Sequence, residues 1–355
     1  MLVLGVESSC DETAAAVVRD GREMLSSVIH SQIGSHMAWG GVVPEIAARE
    51  HLVKIEPVVE KALEDANVSA EDLDAVAVTQ GPGLIGSLLV GVCYAKAFAY
   101  GLGIPIVGVN HIEGHVFSVT LENPPVEFPA LALIVSGGHT NIFYIPRLGE
   151  YELVSRTRDD AAGEAFDKAA KMLGLGYPGG PIIETLALEG DAKKIRFPTA
   201  KISDGRPDMS FSGLKTALAR YMRENAILPA NGDASQEIKD IAASFQRALI
   251  RGLMKSFERL AADRMPQSLI VAGGVACNLA LRDAASELAE KLRVPVYFPS
   301  KHLSTDNAAM IAAAGHFYLA QGRSAGLDLA ADVTLRLQNL RTDALEREAK
   351  GNYRR

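Results

Sequence analysis

One pattern occurs twice in this chain and restricts its architecture more than any other feature. An apolar strand, a tight polar or glycine turn and a second apolar strand are followed by alternating strands and helices. The first copy runs from "LVLGVE" through "SSCDE" to "TAAAVV", and an Asp20–Gly21 turn leads into a third strand, "REMLSSVI". After Pro44, "EIAAREHLVKIEPVVEKALEDA" has helical periodicity, with a break or kink expected at Pro57. Then come the strand "DAVAVT", a glycine loop, the helix "SLLVGVCYAKAFAYG", the strand "IPIVGVN" and a further helix. This βαβ order favours parallel strands with helical crossovers.

The second copy begins beyond the proline-rich "ENPPVEFP", with "ALALIVS", the turn "GGHT", "NIFYI" and a third strand near "YELVSRT". Helical segments such as "GEAFDKAAKMLG" and "QEIKDIAASFQRALIRGLMKSFERLAADR" interrupt it over roughly residues 160–265. The βαβ order then returns at "QSLIVAGGVACNLALRDAASELAEKLRVPVYF" and ends in a helix from about Asp306. Two such halves predict a duplicated α/β fold with a cleft between its lobes.

The helix that closes the first half opens with "NHIEGH", which puts His111 and His115 four residues apart and so on one helical face. A zinc peptidase would carry its general-base glutamate directly after the first histidine, where this chain has Ile112. Glu113 follows one place later, a shift of about 100° around the helix axis. A metallopeptidase of the H-x-x-x-H type therefore starts with its base misplaced.

Several glycine loops invite a phosphate. "GPGLIG" matches a dinucleotide-binding pattern, but residues 87–112 hold no Asp or Glu to bind a ribose, and Pro82 lacks an N–H, so a tight strand-to-helix turn is expected. "VSGGH", "YPGGP" and "VAGGVACN" place further glycines at turns where backbone N–H groups can approach an anion without obstruction by Cβ. Asp306 stands at a helix start, where capping and ligation are both open to it. Glu7 and Asp11 flank a turn, where solvation or binding to a metal–phosphate pair are the alternatives.

With 355 residues, 48% of them hydrophobic, the chain can bury a large core. No apolar run reaches the length expected of a membrane span and no basic leader precedes the first strand, so a cytoplasmic placement without a membrane partner is expected. Cys10, Cys93 and Cys277 are odd in number and far apart, as reduced thiols would be. The net charge of −7 excludes a uniformly basic nucleic-acid binder while leaving room for a local basic surface. The last fifteen residues carry five Lys or Arg against three Asp or Glu, and a solvated tail is expected there.

Nine blocks in order, "GVESSCDETAAAVV", "GGVVPEIAAREH", "QGPGLIGSLLVG", "NHIEGH", "LIVSGGHT", "GEAFDKAAKMLGLGYPGGP", "SFSGLKTA", "VAGGVACN" and "STDNAAMI", resemble the tRNA N6-adenosine threonylcarbamoyltransferases, in their bacterial branch. That family was once described as O-sialoglycoprotein endopeptidases. The resemblance implies two ribonuclease-H-like lobes of the actin, sugar kinase and heat-shock ATPase fold around a nucleotide cleft. It implies lobes at 1–110 and 111–325, the second with the helical insertion, and a C-terminal extension, 326–355, partly packed and partly disordered.

It also implies transfer of a threonylcarbamoyl group from threonylcarbamoyl-AMP to N6 of adenosine 37, 3′ of the anticodon, in tRNAs reading ANN codons, with release of AMP. His111, His115 and Asp306 match metal ligands; Fe²⁺ suits two imidazoles and a carboxylate on an open ion, with Zn²⁺ as the alternative. Ile134, Val135, Ser136, Gly137, Gly138, Asp167, Gly180, Glu184 and Asn278 match positions holding the adenylate. No residue is assigned as a general base. The implied partners are tRNA, a paralogous dimerising subunit docked on apolar surface of the first lobe, and an ATPase subunit. Arg156, Arg158, Lys193, Lys194 and Arg196 are candidates for tRNA contact. A metallopeptidase and a metabolite kinase of the same fold are the competing readings.

Overall fold

The computed structural model describes residues 1–200, 202–230 and 232–340, and the basic C-terminal stretch falls outside them. The first half contains β1 (Leu2–Glu7), β2 (Glu12–Arg19), β3 (Glu23–Ser31), a short α1 (Ile33–Met37), α2 (Pro44–Ala66), β4 (Ala75–Gly81), α3 (Ile85–Leu102), β5 (Ile106–Asn110) and α4 (His111–Glu122). The second contains β6 (Ala130–Val135), β7 (Thr140–Ile145), β8 (Glu152–Arg156), α5 (Ala162–Leu173), α6 (Gly179–Ala187), α7 (Ser212–Glu224) and α8 (Gln236–Arg264). It ends with β9 (Ser268–Ala272), α9 (Leu279–Leu292), β10 (Val296–Tyr297), α10 (Lys301–Ser304) and α11 (Ala308–Leu319).

The duplication read from the sequence is present in both sheets. Their strand orders are β3-β2-β1-β4-β5 and β8-β7-β6-β9-β10. Each has an antiparallel meander continued by two parallel strands. The β2–β3 turn has left-handed backbone at both Asp20 (φ 52°) and Gly21 (φ 68°), the conformation that the Asp–Gly pair is suited to.

Both faces of each sheet are covered, which is why the strands are continuous apolar runs. Leu4, Val6, Val76 and Val78 pack against α2 and α3, while Val3, Ala16, Ala77 and Val109 pack against α4 and α11. Beyond α4 lies the inner face of the second sheet, with Ala132, Ile134 and Phe143; its outer face, with Leu131, Leu133 and Val135, meets α5, α8 and α9. The chain therefore returns α11, from the end of the second half, to close the first sheet. Its run of alanines lets the two backbones approach closely: a Cβ on Gly5 would lie 2.1 Å from the Ala308 carbonyl oxygen.

Two expectations need correction. Helix α2 runs unbroken through Pro57. The carbonyl that Pro57 leaves without an amide partner belongs to Val53, which is exposed, so water can satisfy it while Ile55, Val58 and Val59 stay packed. Helix α3 is also long and apolar enough, by length and composition, to cross a membrane, contrary to the expectation that no such run exists. In this fold Leu88, Val92, Ala95 and Ala99 bury one of its faces in the first lobe.

Residues 326–340 form a strap over both lobes. The Asp332 N–H donates to the Gln80 carbonyl at 2.9 Å and Lys96 Nζ to the Leu329 carbonyl at 3.0 Å. On the second lobe, the Tyr151 N–H donates to Asn339 Oδ1 at 2.8 Å.

Candidate metal centre and interlobe cleft

Strand β5 delivers the chain to the cleft at Asn110, whose Oδ1 accepts from the N–H groups of Ile112 (2.9 Å) and Glu113 (3.3 Å) and so caps α4. That cap fixes His111 in the first turn and His115 one turn later. The two rings meet edge to face with centroids 4.8 Å apart. Asp306 arrives from the turn between α10 and α11, its Oδ1 3.5 Å from His111 Nε2 and 3.2 Å from His115 Nε2. One ligand atom from each residue falls within 4.8 Å of the others.

Of the two roles left open for Asp306, capping falls to its neighbour. Asn307 is the cap, accepting from the Met310 N–H at 3.0 Å, and this frees the Asp306 carboxylate to face the imidazoles.

The donor chemistry fits a divalent cation. His115 is fully buried, and among the described residues neither of its ring nitrogens has a hydrogen-bond partner, although Nε2 lies close to Asp306. An imidazole buried without a partner is costly unless a ligand completes it. His111 is held from behind: its Nδ1 lies 3.0 Å from Glu7 Oε2 and 3.1 Å from Ser9 Oγ, which turns Nε2 toward Asp306. Glu7 is itself buried and accepts from the Thr79 hydroxyl at 2.7 Å and the Ser9 N–H at 2.5 Å. Burial opposes its charge, yet the adjacent His111 keeps the carboxyl below its ordinary range. Burial likewise opposes charge on His111, but Asp306 and Glu7 together raise it to about 9, and the same imidazoles hold Asp306 well below the usual carboxylate range.

A carboxylate behind a metal-binding histidine fixes tautomer and ring orientation and raises basicity. Glu7→Gln, which keeps shape and loses charge, is expected to weaken divalent-ion affinity by about tenfold to a hundredfold while leaving thermal stability near wild type. Ion titration beside a melting curve checks this.

His111 and Asp306 sit in the wall of a cleft of about 550 Å³ between the lobes, in the size range of small-molecule sites, and His115 lies buried directly behind them. Ser136, Gly137, Gly138, Asp167, Gly180, Glu184 and Asn278 all line it. Gly137, Gly138 and Gly180 have open space where a Cβ would stand, so bare backbone faces the cleft. Ile134 and Val135 do not line it; both are wholly buried in β6 and lead the chain to the glycine loop. Asp167 accepts from the Gly179 N–H at 2.7 Å and Glu184 from the Leu279 N–H at 2.6 Å, ties that brace the glycine turns. Asn278 caps α9 through the Leu281 N–H (3.1 Å) and donates from Nδ2 to Gln246 Oε1 at 2.7 Å.

"GPGLIG" is the expected strand-to-helix turn. A Cβ on Gly83 would stand 2.5 Å from the Ser9 carbonyl oxygen, which also accepts from the Leu84 N–H at 2.8 Å.

Glu113 points away from the metal centre. It is buried, accepts from the Tyr318 hydroxyl at 2.6 Å, and is pushed up to about 7 by burial. It borders a different hollow with Tyr318 and Arg323, so the peptidase reading loses its base in space as it did in sequence.

The basic candidates separate. Arg156 lines a second cavity, Arg158 pairs with Asp204 and Asp208, and Lys193 and Arg196 border a hollow beside α8. The Lys194 N–H is tied to the Asp191 carbonyl. Ser9, Thr79, Tyr177 and His139 were not assigned to the site from sequence. For Glu7 the sequence left solvation and binding to a metal–phosphate pair open, and the structure puts it behind His111 instead.

The profile of the tRNA N6-adenosine threonylcarbamoyltransferase family matches residues 23–313. Proteins of that name from Koribacter versatilis (49% identical, over 95% of this chain and 99% of the relative) and Geotalea uraniireducens (51%, over 93% and 94%) are similar over nearly their full lengths. The same holds for one from Anaeromyxobacter dehalogenans, 52% identical over 94% of this chain and 99% of its own.

Among solved structures, component A of the (R)-2-hydroxyglutaryl-CoA dehydratase of Acidaminococcus fermentans superposes with a TM-score of 0.52 at 15% identity, over 90% of this chain and 99% of that one. HypF of T. kodakarensis gives 0.59 at 14%, over 90% and 48%. These two share the fold alone, that of the actin, sugar kinase and heat-shock ATPase group. A histidine pair and a distant carboxylate meeting at a glycine-lined cleft, in a chain half identical to such relatives, lead to one conclusion: this chain belongs to the tRNA N6-adenosine threonylcarbamoyltransferase family, acyltransferases that modify tRNA.

Proposed function

We propose that the enzyme transfers the threonylcarbamoyl group of threonylcarbamoyl-AMP to N6 of adenosine 37 in tRNAs that read ANN codons. The observation that carries this reading is the convergence of His111, His115 and Asp306 at the edge of a cleft large enough for an adenylate, with His111 and Asp306 in its wall. The adenosine amine attacks the carbamoyl carbon, the bond from that carbon to the phosphate oxygen breaks, and AMP leaves with the electron pair while the amine gives up a proton. A divalent ion held by the three residues, Fe²⁺ by the donor set and Zn²⁺ as the alternative, would polarise the acyl oxygen and orient the donor.

The chain's own residues do the rest. Backbone at Gly137, Gly138 and Gly180 receives the AMP phosphate, whose negative charge suits N–H groups unobstructed by Cβ. Asp167, Glu184 and Asn278 hold the glycine turns and the α9 start in place around the nucleoside. Ser9 and Glu7 fix the His111 ring. Alignment of two substrates in one cleft supplies the entropic part of the acceleration.

The dimerising paralogue docks on the first lobe, where Leu52 and Val53 of α2 and Ile85 and Leu89 of α3 are exposed apolar residues on packed helices. An ATPase subunit completes the assembly, and the tRNA substrate places it in the cytoplasm. The reading is tested by supplying tRNA, threonine, bicarbonate, ATP, the adenylate-forming enzyme and the partner subunits, then measuring modified adenosine by mass spectrometry. Product that depends on this chain is the expected result. Phosphorylated metabolite without AMP release would replace the reading with a kinase.

A further inference from the structure

We propose that the tRNA anticodon arm lies along a basic ladder on α8 and that its acceptor nucleotide reaches the donor through a second cavity ending at His139. This rests on the tRNA-modifying reading above and adds the route.

Between Ile241 and Arg259 helix α8 is buried almost throughout, and its exposed positions are Arg247, Arg251, Lys255, Glu258 and Arg259. The four cations recur every four residues. At a rise of about 1.5 Å per residue they form one line about 18 Å long. Such a line on a chain of net charge −7 is a local feature, suited to a polyanion whose charges repeat along a backbone. Arg251 donates through Nη2 to the Phe197 carbonyl at 2.9 Å and Arg247 through Nη1 to the Ala192 carbonyl at 3.4 Å. These bonds draw Lys193 and Arg196 to the same hollow, which no carboxylate lines among the described residues.

The ladder leads to the catalytic centre. Lys255 and Arg259 share the next hollow with Arg206, and Arg206, Pro207 and Asp208 also line a cavity of about 490 Å³. Asp208 is offset by Arg158 at 2.9 Å. The far end of that cavity is formed by Pro82, His139 and Val333, which are at the same time wall residues of the donor cleft. The His139 ring stands 6.3 Å from that of His111. A base turned out of a single-stranded loop would meet the acyl group from the side opposite the AMP. The two cavities have separate occupants, and the acceptor need not pass the seated adenylate.

The side chains of Lys255 and Arg259 are exposed and make no hydrogen bond or ion pair among the described residues, so reversing their charge leaves the core intact. The test measures tRNA binding by the full complex carrying Lys255→Glu and Arg259→Glu across a salt series. Expected are at least tenfold weaker binding and a log–log salt slope shallower by about 1.4, at about 0.7 per lost contact to a single strand. Metal content and threonylcarbamoyl-AMP affinity stay as in wild type. In a second variant, Thr334→Trp fills the cavity from the exposed strap and is expected to stop transfer while donor affinity is kept.

Unchanged slope and affinity in the charge-reversed complex would overturn the route, as would full transfer by Thr334→Trp. Loss of ATPase-subunit assembly with unchanged tRNA binding would assign the ladder to a protein partner and overturn it too. The binding arm needs no turnover, so a wild-type complex that binds tRNA and makes no modified adenosine counts against the functional reading alone.

Discussion

Asp306→Ala is expected to strip the enzyme of its divalent ion and to lower transfer to tRNA by more than about a hundredfold, the equivalent of losing several kcal/mol of charge stabilisation. The prediction is sharp because the carboxylate has no structural duty at the helix start. Asn307 caps α11, so the fold survives the loss of Asp306. The companion variant Asn307→Ala separates the two roles: it loses the cap at about 1 kcal/mol but retains the three ligands. Metal analysis, mass spectrometry of modified adenosine and thermal unfolding, run on both variants, should give opposite patterns. A fully active Asp306→Ala enzyme, or one that loses its fold, would contradict the assignment.

The second large effect is expected at a residue far from any substrate. The new Cβ of Gly5→Ala would stand 2.1 Å from the Ala308 carbonyl oxygen, 2.9 Å from the Ala312 nitrogen and 3.0 Å from its Cβ. All are fixed parts of α11, with no flexible side chain to give way, so either sheet or helix must shift. Overpacking of this kind costs about 3 kcal/mol. For a chain of this size that lowers the melting temperature by about 4 °C. Because α11 starts two residues after Asp306, its displacement should also reduce metal affinity. Gly213→Ala in α7, which meets open space, is the control and should melt at or above the wild-type temperature.

Local signals were legible where one interaction decides the outcome. The Asp20–Gly21 turn, the βαβ spacing and the long helix α8 each followed from backbone conformation or periodicity, and the structure has all three. The pair His111 and His115 was legible because helical spacing puts i and i+4 on one face. What could not be read depends on which distant segments meet. The tolerance of α2 for Pro57 rests on solvent reaching the exposed Val53. The role of Glu7 rests on β1 lying beside β4 and so within reach of the start of α4. The return of α11 to the first sheet depends on Gly5 accepting a helix backbone at close range, and one glycine in a strand does not announce its partner. Asp306 and Asn307 were ambiguous for a similar reason, since either can cap a helix and only the position of the imidazoles distinguishes them.

The central claim is most directly tested by anomalous diffraction at the metal edge, on crystals of the enzyme prepared with its ion and threonylcarbamoyl-AMP. The account predicts one peak between the lobes, about 2.0 to 2.2 Å from a nitrogen of each of His111 and His115 and from a carboxylate oxygen of Asp306. A peak elsewhere, or Asp306 beyond bonding distance of an ion held by the two histidines, would contradict it.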